Sequence, residues 1–320
     1  MKISLITPAG KQLKNGNRTT AMRWARLLRR VGHQVHVTND YDGRAVDLLI
    51  ALHAWHSAKA VQRYRCQAPK GPLVVGLGGT DVNTFLKTDR QITLNTMKAA
   101  DALICLHDLV GEALPPALSG RLNVVRQSAT PLSATRIPSK RHFDICVIGH
   151  LRDEKDPFRA ALAARQMPNN SSLRVIHLGK ATTAKFANRA AKEMARNFRY
   201  YWRGEVPGWR VRREFAKTHA MVISSVQEGG ANVVSEALVA GVPIIASDIA
   251  GNIGLLGRDY PGYYAVGDTG ALAKLLHQAE TEPAFLNTLA SQGRRLATLF
   301  SPVREQATLE CIVNSVTQPR

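Results

Sequence analysis

The chain lacks a long apolar run, and its four cysteines are scattered. No stretch of the 320 residues approaches the roughly 18 consecutive apolar residues that a membrane-spanning helix requires. The first segment, MKISLITPAGKQL, is too short in its apolar part for a secretory signal, so it predicts a buried strand. Without a CxxC pair, the cysteines indicate buried reduced thiols rather than disulfides or a metal site. We expect a cytoplasmic protein without stable membrane insertion. The cysteines are Cys66, Cys105, Cys146 and Cys311.

Two common phosphate-binding signatures are also missing. In GLGG (76–79), the third glycine of a GxGxxG pattern would fall at Asp81, and no GxxxxGK[ST] occurs. Dehydrogenases and P-loop ATPases are therefore disfavoured.

Two short patterns could hold a metal, and each has a simpler interpretation. Asp40 and Asp42 have a spacing that some transferases use for a divalent cation, but Gly43 follows them and favours a surface turn. His53 and His56 have no third ligand near by, so the better interpretation is that they pack and form one wall of a pocket. We expect no metal cofactor.

Acidic residues are few. Lys and Arg total 43 against 24 Asp and Glu, which gives a formal charge of +19, shared as +11 before Pro138 and +8 from there on. Such a balance suits nucleic acid, an anionic membrane surface or small anionic substrates, although a soluble basic surface alone explains it. The basic run between Lys185 and Lys217 is interleaved with aromatic residues, and we interpret it as a solvated helix beside a buried strand. The aromatic residues are Phe198, Tyr200, Tyr201, Trp202 and Trp209.

Short runs rich in Ile, Val and Leu alternate with helical patterns along the whole chain. Six such runs occur between residues 2 and 125 and six between residues 144 and 266. Continuous apolar runs separated by helices are typical of parallel sheets covered on both faces. The sequence therefore predicts an α/β protein with two doubly wound domains.

The segment ATPLSATRIPSKRH (129–142) is polar and basic and reads as a linker. We place an N-terminal domain at 1–138, a C-terminal domain at 139–301 and a last helix at 302–320. That helix could close the second domain or cross back to the first. In the first domain, Asn17 and Thr19 are candidate N-caps of a helix that ends before Gly32.

The most specific stretch is SVQEGGANVVSEALVAGVPIIASDIAG (225–251). It predicts a strand–loop–helix–strand unit in which Gly229 and Gly230 let the backbone approach a ligand closely. The N-terminus of the following helix offers free N–H groups to a diphosphate. Glu228 precedes this helix and Glu236 lies in its second turn, so the two carboxylates can accept hydrogen bonds from different hydroxyls of one ligand.

The whole chain resembles the GT-B glycosyltransferases of the large retaining family four, which have two Rossmann-like domains facing across a cleft. Glu228 and Glu236 match the E-x7-E pattern of that family. The resemblance implies that Glu228 contacts the donor sugar, that Glu236 binds the ribose hydroxyls and that amides after Gly229 face the diphosphate.

Other segments extend this resemblance. GHLRDEK (149–155) resembles the phosphate-gripping loop, which implies that Lys155 contacts the diphosphate, and WRGEV (202–206) resembles the segment that lines the base. Gly230 stands where an aromatic residue is common. His150 stands where a basic residue is usual, so Arg152 could supply that charge. The resemblance predicts Lys155, Arg152 and Glu228 as catalytic residues. The predicted donor-binding residues are His150, Arg203, Gly204, Glu205, Gly229, Gly230, Ala231, Asn232, Val233 and Glu236.

Within the family, TPAGKQLKNGNRTTAMRWA, GTDVN, GHLRDEKDPFRAA and EGGANVVSEA together resemble the members that form selenosugars. This implies a UDP-sugar donor, UDP-N-acetylglucosamine or UDP-glucose, and selenophosphate as the acceptor. A first-domain loop with several cations could hold the acceptor's phosphate, although a basic surface loop explains it equally well. The predicted acceptor-binding residues are Lys11, Asn15, Gly16, Asn17, Arg18, Gly79, Thr80 and Asp81.

Two other functions stay open at this point. A glycosyltransferase acting on a lipid or polysaccharide at the inner membrane face would use Arg23, Arg26 and Arg30 as a docking face. A nucleic-acid-binding protein would use the basic excess directly, and its affinity would fall steeply with salt.

Overall fold

The computed structural model describes residues 1–8 and 16–318, which form two compact units. The first unit draws on residues 1–128, 229–232 and 300–320, and the second on 129–228 and 233–299. The division after Ser128 precedes the expected boundary at Pro138. The segment read as a linker therefore belongs to the second unit, where the Arg136 guanidinium donates to the carbonyl groups of Phe215, Thr218 and Gly241.

The first unit is built on a six-stranded parallel sheet. Its strands are Lys2–Ile6 (β1), Gln34–Thr38 (β2), Leu48–Leu52 (β3), Leu73–Gly76 (β4), Ala102–Cys105 (β5) and Leu122–Val124 (β6), in the order β2-β1-β3-β4-β5-β6. Its first helices are Gly16–Arg30 (α1), Ala58–Gln67 (α2), Leu86–Thr88 (α3) and Arg90–Ala99 (α4). Every residue of β3, β4 and β5 is buried, as a sheet covered by helices on both faces requires.

The second unit has a six-stranded parallel sheet of the same kind. Its strands are Phe143–Ile148 (β7), Leu173–Leu178 (β8), Tyr200–Trp202 (β9), Ala220–Ile223 (β10), Ile244–Ser247 (β11) and Tyr263–Tyr264 (β12), in the order β12-β11-β10-β7-β8-β9. Its helices are Arg159–Ala164 (α5), Ala184–Arg196 (α6), Gly208–Lys217 (α7), Asn232–Val239 (α8), Ala250–Leu256 (α9), Thr269–Thr281 (α10) and Pro283–Ala297 (α11). The strand order reverses between β7 and β10, and ligands of open α/β sheets bind beside such a reversal, at the carboxyl ends of the strands.

The last helix, Pro302–Thr317 (α12), completes the core of the first unit. Its residues Leu309 and Ile312 pack in one apolar cluster with Trp24 of α1. The buried Glu305 carboxylate accepts from Trp24 Nε1 at 2.9 Å and from Arg23 Nε at 3.0 Å. It also accepts from the backbone N–H of Ser128 at 2.8 Å. The sequence left open whether this helix packs in the first or the second unit. The structure places α12 in the first unit.

Helix α1 differs from the sequence-based expectation at its start. It begins at Gly16, so Asn17 and Thr19 lie inside its first turn and do not precede it as N-caps. Its end agrees with the expectation, because Gly32 has φ of 88° and follows the last turn. Arg23 is also not on an exposed face. It is paired with Glu305 and donates to Asn232 Oδ1 at 2.9 Å, so the expected docking face loses one of its three arginines.

Smaller expectations had mixed outcomes. The interpretation of Asp40 and Asp42 as a turn is confirmed, since Asp42 Oδ1 accepts from the backbone N–H of Arg44 and Gly43 has φ of 84°. All four cysteines lie in the described residues as free thiols, but Cys66 and Cys311 are exposed, so the expectation that all are buried is wrong. None of the helices in the described ranges has the length and apolar character to cross a bilayer.

Candidate active site

The second unit brings Lys155 and Glu228 together at the carboxyl ends of its strands. The Lys155 Nζ atom donates to Glu228 Oε1, and Ser225 Oγ donates to the same oxygen at 2.6 Å. The side chains of Lys155 and Glu228 are 19% and 10% exposed, so the pair is mostly screened from water but reachable from one side. The resemblance assigned these two residues to different parts of one ligand, and here they bind each other.

Backbone contacts hold the two loops that carry this pair. Lys155 ends a short 3₁₀ turn, and Asp156 after it has a left-handed φ of 40°. Ser224 Oγ, just after β10, donates to the carbonyl oxygen of Asp156 at 2.9 Å. The N–H of Val226 donates to the carbonyl oxygen of Glu154 at 2.9 Å. The backbone on both sides of Lys155 is therefore held by the same strand end that presents Glu228.

Glycines on both sides allow close approach around Glu228. A Cβ atom on Gly251, in α9, would lie 2.5 Å from the carbonyl oxygen of Glu228, so the helix can contact this residue only with a glycine there. Gly230 has φ of 110°, which side-chain-bearing residues rarely adopt. The helix α8 then begins at Asn232, with Ala231 buried before it, Val233 half-buried and Glu236 exposed in its second turn.

His150 lies in the loop after β7 and is held in a neutral form. Its Nδ1 accepts from the backbone N–H of Lys180 at 3.1 Å. Burial lowers the pKa of His150; Glu205 opposes that effect, and the charges of Arg152 and Lys155 add to it. Among these side chains the positive charge for a ligand is thus on Lys155 and on the half-exposed Arg152, whose Nε lies 3.7 Å from Glu154 Oε2.

The predicted base-lining segment follows β9. Gly204 has φ of 67°, and its carbonyl oxygen accepts from the N–H of Gly179 at 2.8 Å. The Arg203 guanidinium lies over the ring of Tyr201, 5.5 Å from its centroid, and faces a groove of about 570 Å³ between the sheet and α7. Arg203 therefore lines this groove, whereas the charge of Glu205 acts on His150.

In the first unit, Thr80 and Asp81 follow β4, but they have different surroundings. Asp81 is fully buried, and its carboxylate accepts from the backbone N–H groups of Ala54 and Gly78, both at 2.8 Å. It also accepts from Trp55 N–H at 2.9 Å. The exposed Thr80 carries its hydroxyl 2.7 Å from Nε2 of His53, whose Nδ1 lies 2.8 Å from Asp81 Oδ1.

The other predicted acceptor residues have different surroundings. Gly16, Asn17 and Arg18 form the first turn of α1, whereas Lys11 and Asn15 fall outside the described residues. Within the first unit, Gly79 contacts Gly229 so closely that a Cβ atom on Gly229 would lie 2.2 Å from the Gly79 Cα.

Comparison with known proteins places the chain in a family. The family described as glycosyl transferases group 1 matches residues 134–296, about half of the chain. The chain belongs to this family.

The glycosyltransferase is 21% identical over 313 residues to "Glycosyltransferase 1 domain-containing protein 1" of Xenopus tropicalis, with 88% of each chain covered. Its fold is similar to that of sucrose-phosphate synthase from Thermosynechococcus elongatus, with a TM-score of 0.80, 16% identity and 98% of both chains covered. It is also similar to Anabaena HepE, solved in complex with UDP-glucose, with a TM-score of 0.78, 15% identity and coverage of 98% and 100%. The predicted α/β fold of GT-B type, with two Rossmann-like units, is confirmed.

Sequence reasoning did not assign a chemical role to His53 in the glycosyltransferase. It interpreted His53 and His56 as packing residues because a third metal ligand was missing, and no three metal-ligating side chains converge within residues 1–8 and 16–318. The sequence did indicate where His53 lies, through its position after a strand. His53 directly follows β3 and Thr80 follows β4, and neighbouring parallel strands bring such residues to one edge of the sheet.

Proposed function

We propose that this glycosyltransferase is a hexosyltransferase with a UDP-sugar donor, UDP-N-acetylglucosamine or UDP-glucose. Membership of the family supports glycosyl transfer, and the complex of HepE with UDP-glucose supports the nucleotide. The observation that carries the proposal is the Lys155–Glu228 pair beside the N-terminus of α8. It offers a cation for a phosphate and an acceptor for a sugar hydroxyl at one strand end.

Donor binding would divide this pair. Lys155 would leave the Glu228 carboxylate and contact the diphosphate, as would Arg152 and the N–H groups at the start of α8. Glu228 would then accept from a hydroxyl of the donor sugar. As UDP leaves, charge develops on its phosphate oxygen, and fixed cations stabilise this charge in the transition state. We assign that stabilisation to Lys155 and Arg152 without a metal.

The remaining donor contacts extend along the same edge of the second unit. Glu236 would accept from the ribose hydroxyls, because it lies in the second turn of α8, next to the N-terminus that faces the diphosphate. The segment of Gly204 and Glu205, together with neutral His150, would lie beside the base.

We propose selenophosphate as the acceptor, on the strength of the four segments that resemble selenosugar-forming members of the family. An electron pair of selenium would attack the anomeric carbon as the carbon–oxygen bond to UDP breaks. Water would then cleave the selenium–phosphorus bond, leaving the selenosugar and phosphate. Selenophosphate is anionic and polarisable, which fits a strongly basic chain.

The test is to incubate purified protein with selenophosphate and a panel of nucleotide sugars, and to identify products by mass spectrometry. We expect a selenosugar, UDP and phosphate with at least one UDP-sugar. Glu228→Gln and Glu236→Gln should each lower the rate without changing the thermal midpoint. UDP release with a hydroxyl acceptor but never with selenophosphate would refute the selenosugar step and leave the donor assignment in place.

A further inference from the structure

The groove between the sheet of the second unit and helix α7 has one face of that sheet as its floor. Side chains at every second position of a strand share a face, so Arg174, Ile176 and Leu178 of β8 all line the groove. Tyr201 pairs with Ile176 in the neighbouring strand β9 and adds an aromatic ring to this floor. The volume of about 570 Å³ lies in the range of pockets that hold small molecules.

Helix α7 forms the wall of the groove with one of its sides. Residues three and four positions apart are neighbours on a helix surface, as Arg210, Arg213 and Lys217 are in turn. Glu214 lies among them, lines the same groove and is 5% exposed. Arg203, directly after β9, also lines the groove. With Arg174 and Asp144 of the floor, five cations and two carboxylates therefore surround one cavity.

Both carboxylates of the groove already have cationic partners. The Asp144 carboxylate accepts from Nε and Nη2 of Arg174 at 2.7 and 2.9 Å. Glu214 Oε2 lies 3.2 Å from Nζ of Lys217. Two of the five cations are thus neutralised, and the groove keeps a formal charge of +3.

The other three cations are arginines with no carboxylate at salt-bridge distance in the part of the chain that the structure describes. Arg203 lies over the Tyr201 ring, and Arg210 and Arg213 lie 5.5 and 5.9 Å from the ring centroid of Trp209. All three are exposed. A phosphate ester with a charge of about −1.5 to −2 and three acceptor oxygens matches three guanidinium groups better than a singly charged carboxylate does.

Glu214 adds a second requirement for a ligand. Its Oε1 is buried and has no hydrogen-bond partner within residues 1–8 and 16–318. Burial raises the pKa of this carboxyl group, and the charge of Lys217 opposes that effect. A buried polar atom without a partner is unfavourable, so a ligand that supplies the partner gains affinity. A hydroxyl group both donates and accepts, so it suits the carboxyl group in either protonation state.

We propose that this groove binds a phosphorylated sugar, with the phosphate on the three arginines and a sugar hydroxyl at Glu214. The site is separate from the proposed donor site, because neither Lys155 nor Glu228 lines the groove. Its enclosed volume suits a small molecule rather than a polymer. The proposal does not depend on which donor or acceptor the enzyme uses.

The test measures binding of glucose 6-phosphate, inorganic phosphate and glucose to the full chain by isothermal titration calorimetry, with and without UDP. Glucose 6-phosphate should bind about tenfold more tightly than inorganic phosphate, which corresponds to one additional hydrogen bond. Glucose should give no heat of binding, and UDP should leave the affinity for glucose 6-phosphate unchanged. Competition by UDP would place the sugar phosphate in the donor site and overturn the proposal.

Variants separate the phosphate contact from the hydroxyl contact. Arg213→Gln and Arg210→Gln, both at exposed positions, should each weaken glucose 6-phosphate and inorganic phosphate alike by about tenfold. Glu214→Met keeps the length of the side chain but cannot bond a hydroxyl, so the preference for glucose 6-phosphate should disappear while inorganic phosphate binds at least as tightly. Arg295→Gln, at an exposed position of α11, is the matched control and should change neither affinity.

Four results would overturn the proposal. Equal weakening by Arg213→Gln and Arg295→Gln would mean that overall charge attracts the phosphate. An unchanged preference for glucose 6-phosphate in a folded Glu214→Met variant would remove the hydroxyl contact. Binding to phosphatidylglycerol vesicles without binding of glucose 6-phosphate would make the groove a membrane contact. Binding of a single-stranded oligonucleotide without binding of glucose 6-phosphate would make it a nucleic-acid site.

Discussion

The two units each place polar side chains at the carboxyl ends of parallel strands, but they hold them in opposite ways. In the second unit, Lys155 and Glu228 are opposite charges from two loops and are partly exposed. In the first unit, Asp81 and His53 are buried, and only Thr80 reaches the surface. Charges that pair with each other can exchange partners when a ligand arrives. A carboxylate held by three backbone N–H groups, as that of Asp81 is, cannot do so.

The largest expected effect on activity is that of replacing Lys155, which pairs with Glu228. Lys155→Gln keeps a hydrogen-bond donor for Glu228 but removes the charge, so kcat should fall about 100- to 1,000-fold with the thermal midpoint unchanged. Lys192→Gln, on the exposed face of α6, is the matched control and should leave kcat unchanged. Equal losses in the two variants would mean that overall charge matters and the pair does not.

The buried residues Asp81 and His53 should be more sensitive to added side-chain volume near them than to a change of charge. Gly78→Ala places a methyl group 2.7 Å from His53 Cδ2, so it should lower the free energy of unfolding by about 1–3 kcal/mol and displace the ring from Thr80. Gly120→Ala, where no atom lies within 4 Å of the added carbon, is the control. Urea unfolding measures both, and an unchanged midpoint for Gly78→Ala would contradict the tight packing of His53.

A buried histidine of the second unit contrasts with His53, because its hydrogen-bond partners among the described residues are a carbonyl and a hydroxyl group. His177 bonds the Gly149 carbonyl oxygen and the Tyr200 hydroxyl, and burial lowers its pKa to about 4. The unfolded chain binds the proton near the ordinary value, so stability is full above about pH 6.5 and falls as pH drops. The slope should reach about 1.4 kcal/mol per pH unit. Urea midpoints should show a shallower dependence for His177→Gln, and parallel curves would contradict this.

The smallest expected effect is that of a chelator. If Lys155 and Arg152 neutralise the leaving diphosphate, EDTA should not change the initial rate of UDP release. A loss of activity that Mg²⁺ or Mn²⁺ restores would contradict this assignment.

The comparison also separates what sequence could predict from what it could not. Glu228, the two glycines and Glu236 lie in one strand–loop–helix unit, so their arrangement follows from local pattern. Helix α8 begins at Asn232 and ends at Val239, and Gly241, with φ of 71°, follows it. The parallel sheets follow from alternation of apolar runs and helices. These features depend on residues close in sequence.

Contacts between distant residues were beyond local pattern. Lys155 meets Glu228 across 73 positions and His53 meets Thr80 across 27, so no spacing rule joins them. Asp81 was expected to bind the acceptor because of its motif, but burial directs its oxygens to the backbone. Helix α12 packs in the first unit, where it places the buried carboxylate of Glu305. An amphipathic pattern does not single out this residue.

The return of α12 has a consequence for synthesis on the ribosome. The first unit contains the amino terminus, yet its apolar cluster includes Leu309 and Ile312 together with Trp24. These residues leave the ribosome only after the residues of the second unit. The second unit can therefore fold while the sheet of the first unit still lacks α12, which covers part of it. A truncated chain ending before Pro302 should expose part of this core and depend on chaperones for solubility.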